Sequence, residues 1–185
     1  MELTATNIRD ELVERCKQGD MSGYEALYRQ YSKAMYNTSL RIVNNTADAE
    51  DVLQEAFTDA FRSLHDFHYR STFGAWLKRI VINKSINALR KRKMHLVDIE
   101  NEGVYALPED DGPDEQAIQY KIEEVKKAIK KLPDGYRAVL SLYLLEGYDH
   151  EEISGILGIS QNTVRTQYIR AKQKLLSLLK SGGIS

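Results

Sequence analysis

Apolar residues recur along this chain every three or four positions, which is the spacing of amphipathic helices and not of strands. The widest apolar stripe lies in residues 48–64, and such a width is expected of a helix that packs into a core. Its members are Ala49, Val52, Leu53, Ala56, Phe57, Ala60, Phe61 and Leu64. Strand-like alternation is nearly absent, so the pattern predicts an all-α fold.

Capping residues predict where the helices of the first half begin. Ser22 with Glu25 has the spacing of a capping box, Asp48 is expected to cap the next helix, and Ser71 is expected to open the one after it. Four helices are predicted. The first spans about 7–18, the second runs from 22 to a turn at 44–46, the third spans 48–64, and the fourth runs from 71 to the basic run at 90–93.

Residues 94–117 have no helical periodicity and contain Pro108, Gly112 and Pro113. A stretch of this length without predicted structure is usually a linker or a functional insertion. Beyond it, Asp114 is expected to cap a helix that the pair Leu132-Pro133 breaks. The next predicted helix turns Ala138, Val139, Leu142 and Leu145 inward.

The stretch 148–176 has the pattern of a helix-turn-helix. Asp149 and Glu152 form a capping box, Gly158 ends the first helix, and Ser160 caps the second. The predicted inward residues are Ile153, Leu157, Val164, Tyr168, Ala171 and Leu175, with Ile159 at the corner.

The second helix of this motif carries four Lys or Arg and no acid between 160 and 176. Such a helix can enter the major groove with its N-terminal residues on base edges. The candidate DNA-binding residues are Ser160, Gln161, Asn162, Thr163, Arg165, Thr166 and Arg170. An ordinary helix pair with a solvated basic face is the alternative.

The net charge of −1 at pH 7 conceals a strong segregation of charge. Residues 1–93 carry 15 basic and 12 acidic side chains. Residues 94–117 carry no basic and 8 acidic side chains, and residues 118–185 carry 11 basic and 7 acidic ones. Two mildly basic helical blocks are therefore joined by an acidic segment, which indicates two separate modules.

Two faces of the first block have opposite character. The helix at 48–64 presents an acidic and amide face, which is either solvated or a docking surface for a basic partner. Its residues are Asp48, Asp51, Gln54, Glu55 and Asp59.

Residues 67–93 carry eight Lys or Arg and no acid. Aromatic residues beside a basic helix can stack on unpaired bases. The candidate DNA-binding residues are His68, Tyr69, Arg70, Ser71, Phe73, Trp76, Arg79, Asn83, Asn87 and Arg90. The spacing of Phe73 and Trp76 with Leu77 and Ile80 equally allows a core role, and we expect Trp76 to be mostly packed.

Other function classes find little support in the sequence. The single cysteine, Cys16, cannot form an internal disulfide and suits a reducing cytosol. No apolar run is long enough to cross a bilayer and the N-terminus lacks a signal-peptide core, so a cytoplasmic protein is expected. The histidines do not cluster at metal-ligand spacing, and no catalytic set stands out. We therefore predict no enzymatic activity, cofactor, metal or small-molecule substrate.

Five motifs of this chain, in this order, resemble those of the sigma factors of bacterial RNA polymerase, specifically of the two-domain extracytoplasmic function (ECF) group. They are DAEDVLQEAFTDAF at 48–61, STFGAWLKRIVINK at 71–84, LRKRK at 89–93, LPxxYR at 132–137 and EGYDHEEISGILGISQNTVRT at 146–166. Each motif is weakly specific alone, whereas the ordered set is highly specific and covers nearly all of 20–178.

The resemblance implies two small helical domains, sigma region 2 at 1–93 and helix-turn-helix region 4 at 118–185, joined by an acidic flexible linker at 94–117. It implies that the acidic face docks on the largest subunit of core RNA polymerase and that the 68–93 element opens the −10 region and holds a flipped base. The helix-turn-helix would recognise the −35 element. Many relatives are held by an anti-sigma factor, although no residue pattern here establishes one.

Opening about five base-pair steps costs roughly 7 kcal/mol at ~1.4 kcal/mol per step. The chain has no nucleotide-hydrolysis motif, so binding energy must offset melting, and we expect weak free DNA binding and tight binding to core polymerase. Two alternatives remain open at this point. One is a helix-turn-helix regulator that binds operators without polymerase, and the other is a helical protein-interaction module.

Overall fold

The computed structural model describes residues 5–92 and 122–182. The acidic segment 94–117 and the predicted cap Asp114 lie outside the described residues. Within them, every regular element is helical, as the sequence pattern predicts. The chain divides into two compact units, Met1–Ala88 and Leu89–Ser185, which we describe separately. None of the helices in the described ranges is long and apolar enough to span a bilayer.

The first unit is built from four α-helices and one short 3-10 helix. These are α1 (Ala5–Lys17), α2 (Met21–Val43), α3 (Thr46–Arg62), the 3-10 helix Leu64–Asp66, and α4 (Phe73–Lys91). The predicted stripe of α3 is buried except for the half-buried Phe61. It packs with Leu27, Tyr31 and Met35 of α2 and with Leu77 and Val81 of α4 in one apolar core.

Three of the predicted helix starts in this unit are shifted. Asp20, and not Ser22, caps α2, because its carboxylate accepts the backbone N–H of Ser22 at 2.9 Å. Asn45, and not Asp48, caps α3 by accepting the N–H of Asp48 at 3.0 Å. α4 begins at Phe73 and not at Ser71. The Thr72 hydroxyl oxygen accepts the Ala75 N–H at 3.2 Å at this end of the helix.

The described residues of the second unit, 122–182, form four α-helices and a π-helical turn. These are α5 (Ile122–Lys130), α6 (Asp134–Leu140), the π-turn Ser141–Leu145, α7 (His150–Leu157) and α8 (Gln161–Gly182). Pro133 separates α5 from α6 as predicted. Leu145 was predicted to face inward but is 40% exposed, because the π-turn adds a residue per turn and rotates it out of the apolar stripe.

The core of this unit joins α5, α6 and α8. Leu132, Leu140, Ala171 and Leu175 are all buried in it. Arg137, only 3% exposed, lies beside this core and donates to the Leu132 carbonyl at 3.0 Å. It also forms an ion pair with Asp134, so that its buried charge is compensated.

Candidate nucleic-acid interface

The predicted polar stripe of α4 lies on its solvent side. Arg79, Asn83, Asn87 and Arg90 are all exposed. The buried residues of the same stretch are Val81, Ile82, Ser85 and Ile86. The predicted polar stripe is therefore distinct from the residues that pack inward.

A shallow pocket of about 210 Å³ lies at the N-terminal end of α4. It is bordered by the exposed side chains of His68, Arg70 and Ser71 and by the half-buried indole of Trp76. Asp66 and Phe67 complete its lining. An open site with an aromatic wall and several hydrogen-bonding groups has the chemistry to hold a planar heterocycle.

Phe73 is the one predicted DNA-binding residue that the structure places in the core. It is 1% exposed, and its ring packs edge-on against Tyr31 with centroids 5.4 Å apart. Trp76 covers it with ring centroids 5.8 Å apart. Phe73 has no surface left for a base, so we remove it from the candidate interface. The expectation that Trp76 is largely packed agrees with its half-buried position.

Tyr69 takes a backbone conformation that is uncommon for its residue type. Its φ of 54° lies in the left-handed region, and holding a bulky residue there costs about 1–3 kcal/mol. Its ring is 40% exposed and meets the edge of Phe67, with centroids 4.8 Å apart. Because Tyr69 adopts this conformation, the loop 67–72 has a sharp bend between His68 and Arg70.

The acidic face of α3 is exposed at Asp51, Gln54, Glu55 and Asp59, and half-buried at Asp48. Part of this face is already paired within the unit, because Lys84 of α4 lies 2.6 Å from Asp59 and 3.5 Å from Glu55. The hydrogen bond to Asp59 raises the pKa of Lys84. Sequence spacing gave no sign of this contact, since 29 residues separate Lys84 from Glu55.

The helix-turn-helix has the local geometry that its sequence predicts. The Asp149 carboxylate accepts the Glu152 N–H at 2.8 Å, and Glu152 accepts the Asp149 N–H at 2.9 Å, which completes the capping box. Gly158 has a φ of 68° and ends α7. Ser160 accepts the Thr163 N–H at 3.1 Å at the start of α8, and the two hydroxyls lie 2.7 Å apart.

The predicted contact residues of α8 differ in exposure. Ser160, Gln161, Asn162 and Arg165 are exposed, whereas Thr163, Thr166 and Arg170 are half-buried. The Thr166 hydroxyl donates to the Asn162 carbonyl at 3.0 Å. Val164, Ala171 and Leu175 are buried beneath them, and Tyr168 and Ile159 are half-buried. The first two turns of α8 therefore present polar groups and a cation on a helix whose other side is fixed in the core.

His150, at the start of α7, lies among aromatic rings beside α8. Its ring stacks on Tyr143 with centroids 5.0 Å apart and meets Tyr168 at 5.3 Å. Burial lowers the pKa of His150, and the charge of Arg165 lowers it further. The imidazole therefore favours its neutral form, which suits an apolar contact between the two helices.

Both units match known protein-family models. The family model described as Sigma-70 region 2 matches residues 27–94, and the one described as Sigma-70, region 4 matches residues 122–175. The RNA polymerase sigma-H factor of Pseudomonas aeruginosa is 32% identical over 174 residues, which cover 89% of this chain and 90% of that protein. The chain belongs to the sigma-70 family.

Two further relatives place this sigma factor in the ECF group. The ECF RNA polymerase sigma factor SigW of Bacillus subtilis is 30% identical, with 91% of this chain and 95% of that protein covered. The ECF RNA polymerase sigma-E factor of Escherichia coli K12 is 31% identical, with 89% and 90% covered. This ECF sigma factor is therefore a protein that directs transcription initiation, and the operator-binding regulator is not favoured.

Solved structures agree on the fold. The sigma factor RpoE, in complex with the anti-sigma factor NepR from Bartonella quintana, matches with a TM-score of 0.55 and 22% identity over 85% of this chain and 96% of its own. CnrH, in complex with the cytosolic domain of CnrY, matches with a TM-score of 0.55 and 24% identity over 94% and 97%.

Proposed function

We propose that this ECF sigma factor binds core RNA polymerase through α3, the −10 element through the loop 67–72 and α4, and the −35 element through α8. The domains that go with this assignment are sigma region 2 at 1–93, the acidic linker at 94–117 and sigma region 4 at 118–185. The observation that carries the proposal is the placement of oppositely charged faces on two helices of one small unit. An exposed acidic face on α3 and an exposed acid-free face on α4 suit two partners of opposite charge.

The α4 face and the adjoining loop suit a melted promoter. Arginines on an exposed helix can neutralise phosphates, while the neighbouring asparagines can donate to or accept from bases. The pocket beside Trp76 is of a kind that could accommodate an unpaired base by stacking. The proposed −10 residues are therefore His68, Tyr69, Arg70, Ser71, Trp76, Arg79, Asn83, Asn87 and Arg90.

The exposed start of α8 suits the major groove. Its N-terminal turn presents amide side chains, and Arg165 follows on the same exposed side one turn later. The proposed −35 residues are Ser160, Gln161, Asn162, Thr163, Arg165, Thr166 and Arg170. Ser160 and Thr163 bond to each other, so we expect them to orient the first turn as well as to contact phosphate.

This sigma factor would work by binding and not by catalysis, in the cytoplasm, where core polymerase and promoter DNA are its partners. An anti-sigma factor is a further proposed partner, since RpoE and CnrH, to which the fold is similar, are bound in their structures by NepR and by the cytosolic domain of CnrY. We expect weak DNA binding by the isolated chain, since melting energy must be offset by contacts made in the holoenzyme.

Run-off transcription with core RNA polymerase on fragmented genomic DNA, with and without the protein, tests the function and maps its promoters. The docking face is tested with Asp51→Lys combined with Gln54→Lys. These positions avoid the Lys84 contact that a change at Glu55 would break. We expect core binding to weaken about tenfold or more, because like charges would meet across the interface.

Glu11→Lys combined with Gln18→Lys is the matched control, since it changes the charge by the same amount at two exposed positions, one on α1 and one just after it. Normal holoenzyme formation by the α3 double variant would refute the docking face. Equal losses in both double variants would indicate that only net charge matters. Promoter melting by the free protein at physiological salt would contradict the proposal that contacts made in the holoenzyme offset the energy of melting.

A further inference from the structure

The loop 67–72 is attached to α1, a helix that carries none of the proposed DNA-contacting residues. The Tyr69 hydroxyl donates a short hydrogen bond to the carboxylate of Glu14. The ammonium group of Lys17 donates to the Phe67 carbonyl at 2.9 Å and lies 4.7 Å from the centroid of the Tyr69 ring. These contacts fix the backbone at Phe67 and the side chain two residues later.

The same contacts explain how Tyr69 keeps its left-handed backbone. A bulky residue holds a positive φ only where its surroundings hold it there. The hydroxyl bond to Glu14, the cation over the ring and the edge contact with Phe67 provide such surroundings. His68 and Arg70 flank the bend, and both line the pocket at the start of α4.

The charges in this contact reinforce one another. Lys17 lies 3.6 Å from Glu14, so that one cation contacts the carboxylate, the ring and the loop carbonyl together. The hydrogen bond from Tyr69 lowers the pKa of Glu14, and the charge of Lys17 lowers it further. At neutral pH the carboxylate is therefore ionised and accepts a charge-assisted hydrogen bond.

We propose that Glu14 and Lys17 are positioning residues for −10 base preference, because they hold Tyr69 in the conformation that places His68 and Arg70 at the pocket. This inference rests on the proposed role of the loop in −10 recognition. It makes α1 part of the specificity of the protein although it contacts no DNA. Base preference would then respond to changes on a helix outside the interface.

The test uses the full chain with core RNA polymerase and a promoter mapped by run-off transcription, in which each −10 position carries each of the four bases. The variants are Tyr69→Phe, Glu14→Ala and Lys17→Met. Glu11→Ala is the matched control on the same helix. His68→Ala and Arg70→Ala report on the loop itself. Transcript yield is measured at limiting holoenzyme. The preference at each position is the ratio of the yield with the best base to the yield with the worst base.

We expect Tyr69→Phe and Glu14→Ala to lower that ratio roughly 2- to 12-fold at one or two positions, the range that one net hydrogen bond corresponds to. Core binding and the urea midpoint should stay near those of the unaltered protein. Glu14→Gln keeps an acceptor and should restore part of the ratio. Glu11→Ala should leave it unchanged.

The outcomes separate this inference from the proposed function. If His68→Ala or Arg70→Ala changes the base preference while Tyr69→Phe and Glu14→Ala do not, the loop recognises bases without help from α1 and the inference is wrong. If neither His68 nor Arg70 affects preference, the proposed −10 role of the loop fails and the inference with it. Equal loss of yield for every base also overturns it. Should Glu14→Ala unfold the protein, Lys17→Met decides, since it removes a loop contact from α1 and leaves Tyr69, itself a proposed −10 residue, unchanged.

Discussion

The loop 67–72 and the helix α8 both present polar side chains to solvent, but they are held in place by different kinds of contact. At the start of α8 the capping contacts are local, with the Asp149–Glu152 box of the preceding α7 and the Ser160 cap each closing over three residues. At the loop, Tyr69 depends on Glu14, which lies 55 residues away along the chain. The first arrangement forms wherever its short motif can fold, whereas the second exists only in the assembled unit.

This difference should decide how each surface responds to mutation. A surface held by local caps loses function chiefly when a contacting side chain is removed. A surface held by distant contacts also loses function when its supports are removed.

The largest effect is expected where the loop depends on the core. Phe73→Ala should lower the free energy of unfolding by about 3–5 kcal/mol, because it leaves a cavity beneath Phe67 and Trp76. Urea unfolding can be followed by the fluorescence of Trp76, the single tryptophan of the chain. Phe73→Leu keeps most of the volume and should cost less. An unchanged midpoint with lost −10 binding would instead return Phe73 to the DNA surface.

On α8, the removal of one exposed cation should affect binding without affecting the fold. Arg165→Ala is expected to cost about 1–3 kcal/mol if the side chain contacts a base, with relaxed preference at one −35 position. The measurement is holoenzyme affinity for the mapped promoter and its −35 substitutions. Lys174→Ala removes the same charge from an exposed position nearer the C-terminus and is the control. Unchanged affinity in Arg165→Ala would remove this residue from the interface.

The local caps should have a moderate and separable effect. Asp149→Ala removes the capping box of α7 and should destabilise the second unit by about 0.5–2 kcal/mol. Circular dichroism during thermal unfolding measures the loss, while the Trp76 signal from the first unit serves as an internal control. A matching shift in the Trp76 signal would show that the support is not local.

The smallest effect concerns pH. The pKa of Asp20 lies at about 2, below its ordinary 3.8, because the Ser22 hydroxyl and Arg15 both donate to its carboxylate. Since the folded-state pKa is the lower one, the stabilisation is complete above about pH 4 and is lost as the pH falls towards 2. Asp20→Asn keeps a capping oxygen but cannot titrate, so its melting temperature should vary less between pH 4 and 2. Parallel curves for the two proteins would contradict this account of the cap.

Some of the candidate site could be predicted and some could not, for identifiable reasons. The capping box at Asp149 was predictable because both partners lie within one turn. The starts of α2, α3 and α4 were missed by two or more residues, because several neighbouring polar residues could cap and only the backbone path selects Asp20, Asn45 and Thr72. The exposure of Leu145 was missed because a π-turn leaves no signal in the apolar pattern.

The amino-acid pattern alone was enough to predict the all-α class, the acid-free faces, the helix-turn-helix and the membership in the sigma-70 family. These features depend on periodicity, charge and short motifs, which act over one or two helical turns. The folded structure was needed to show that Phe73 is buried, that Lys84 pairs with the α3 face, and that α1 holds Tyr69. Those contacts join residues separated by 25 to 55 positions, and packing of the folded chain alone brings them together.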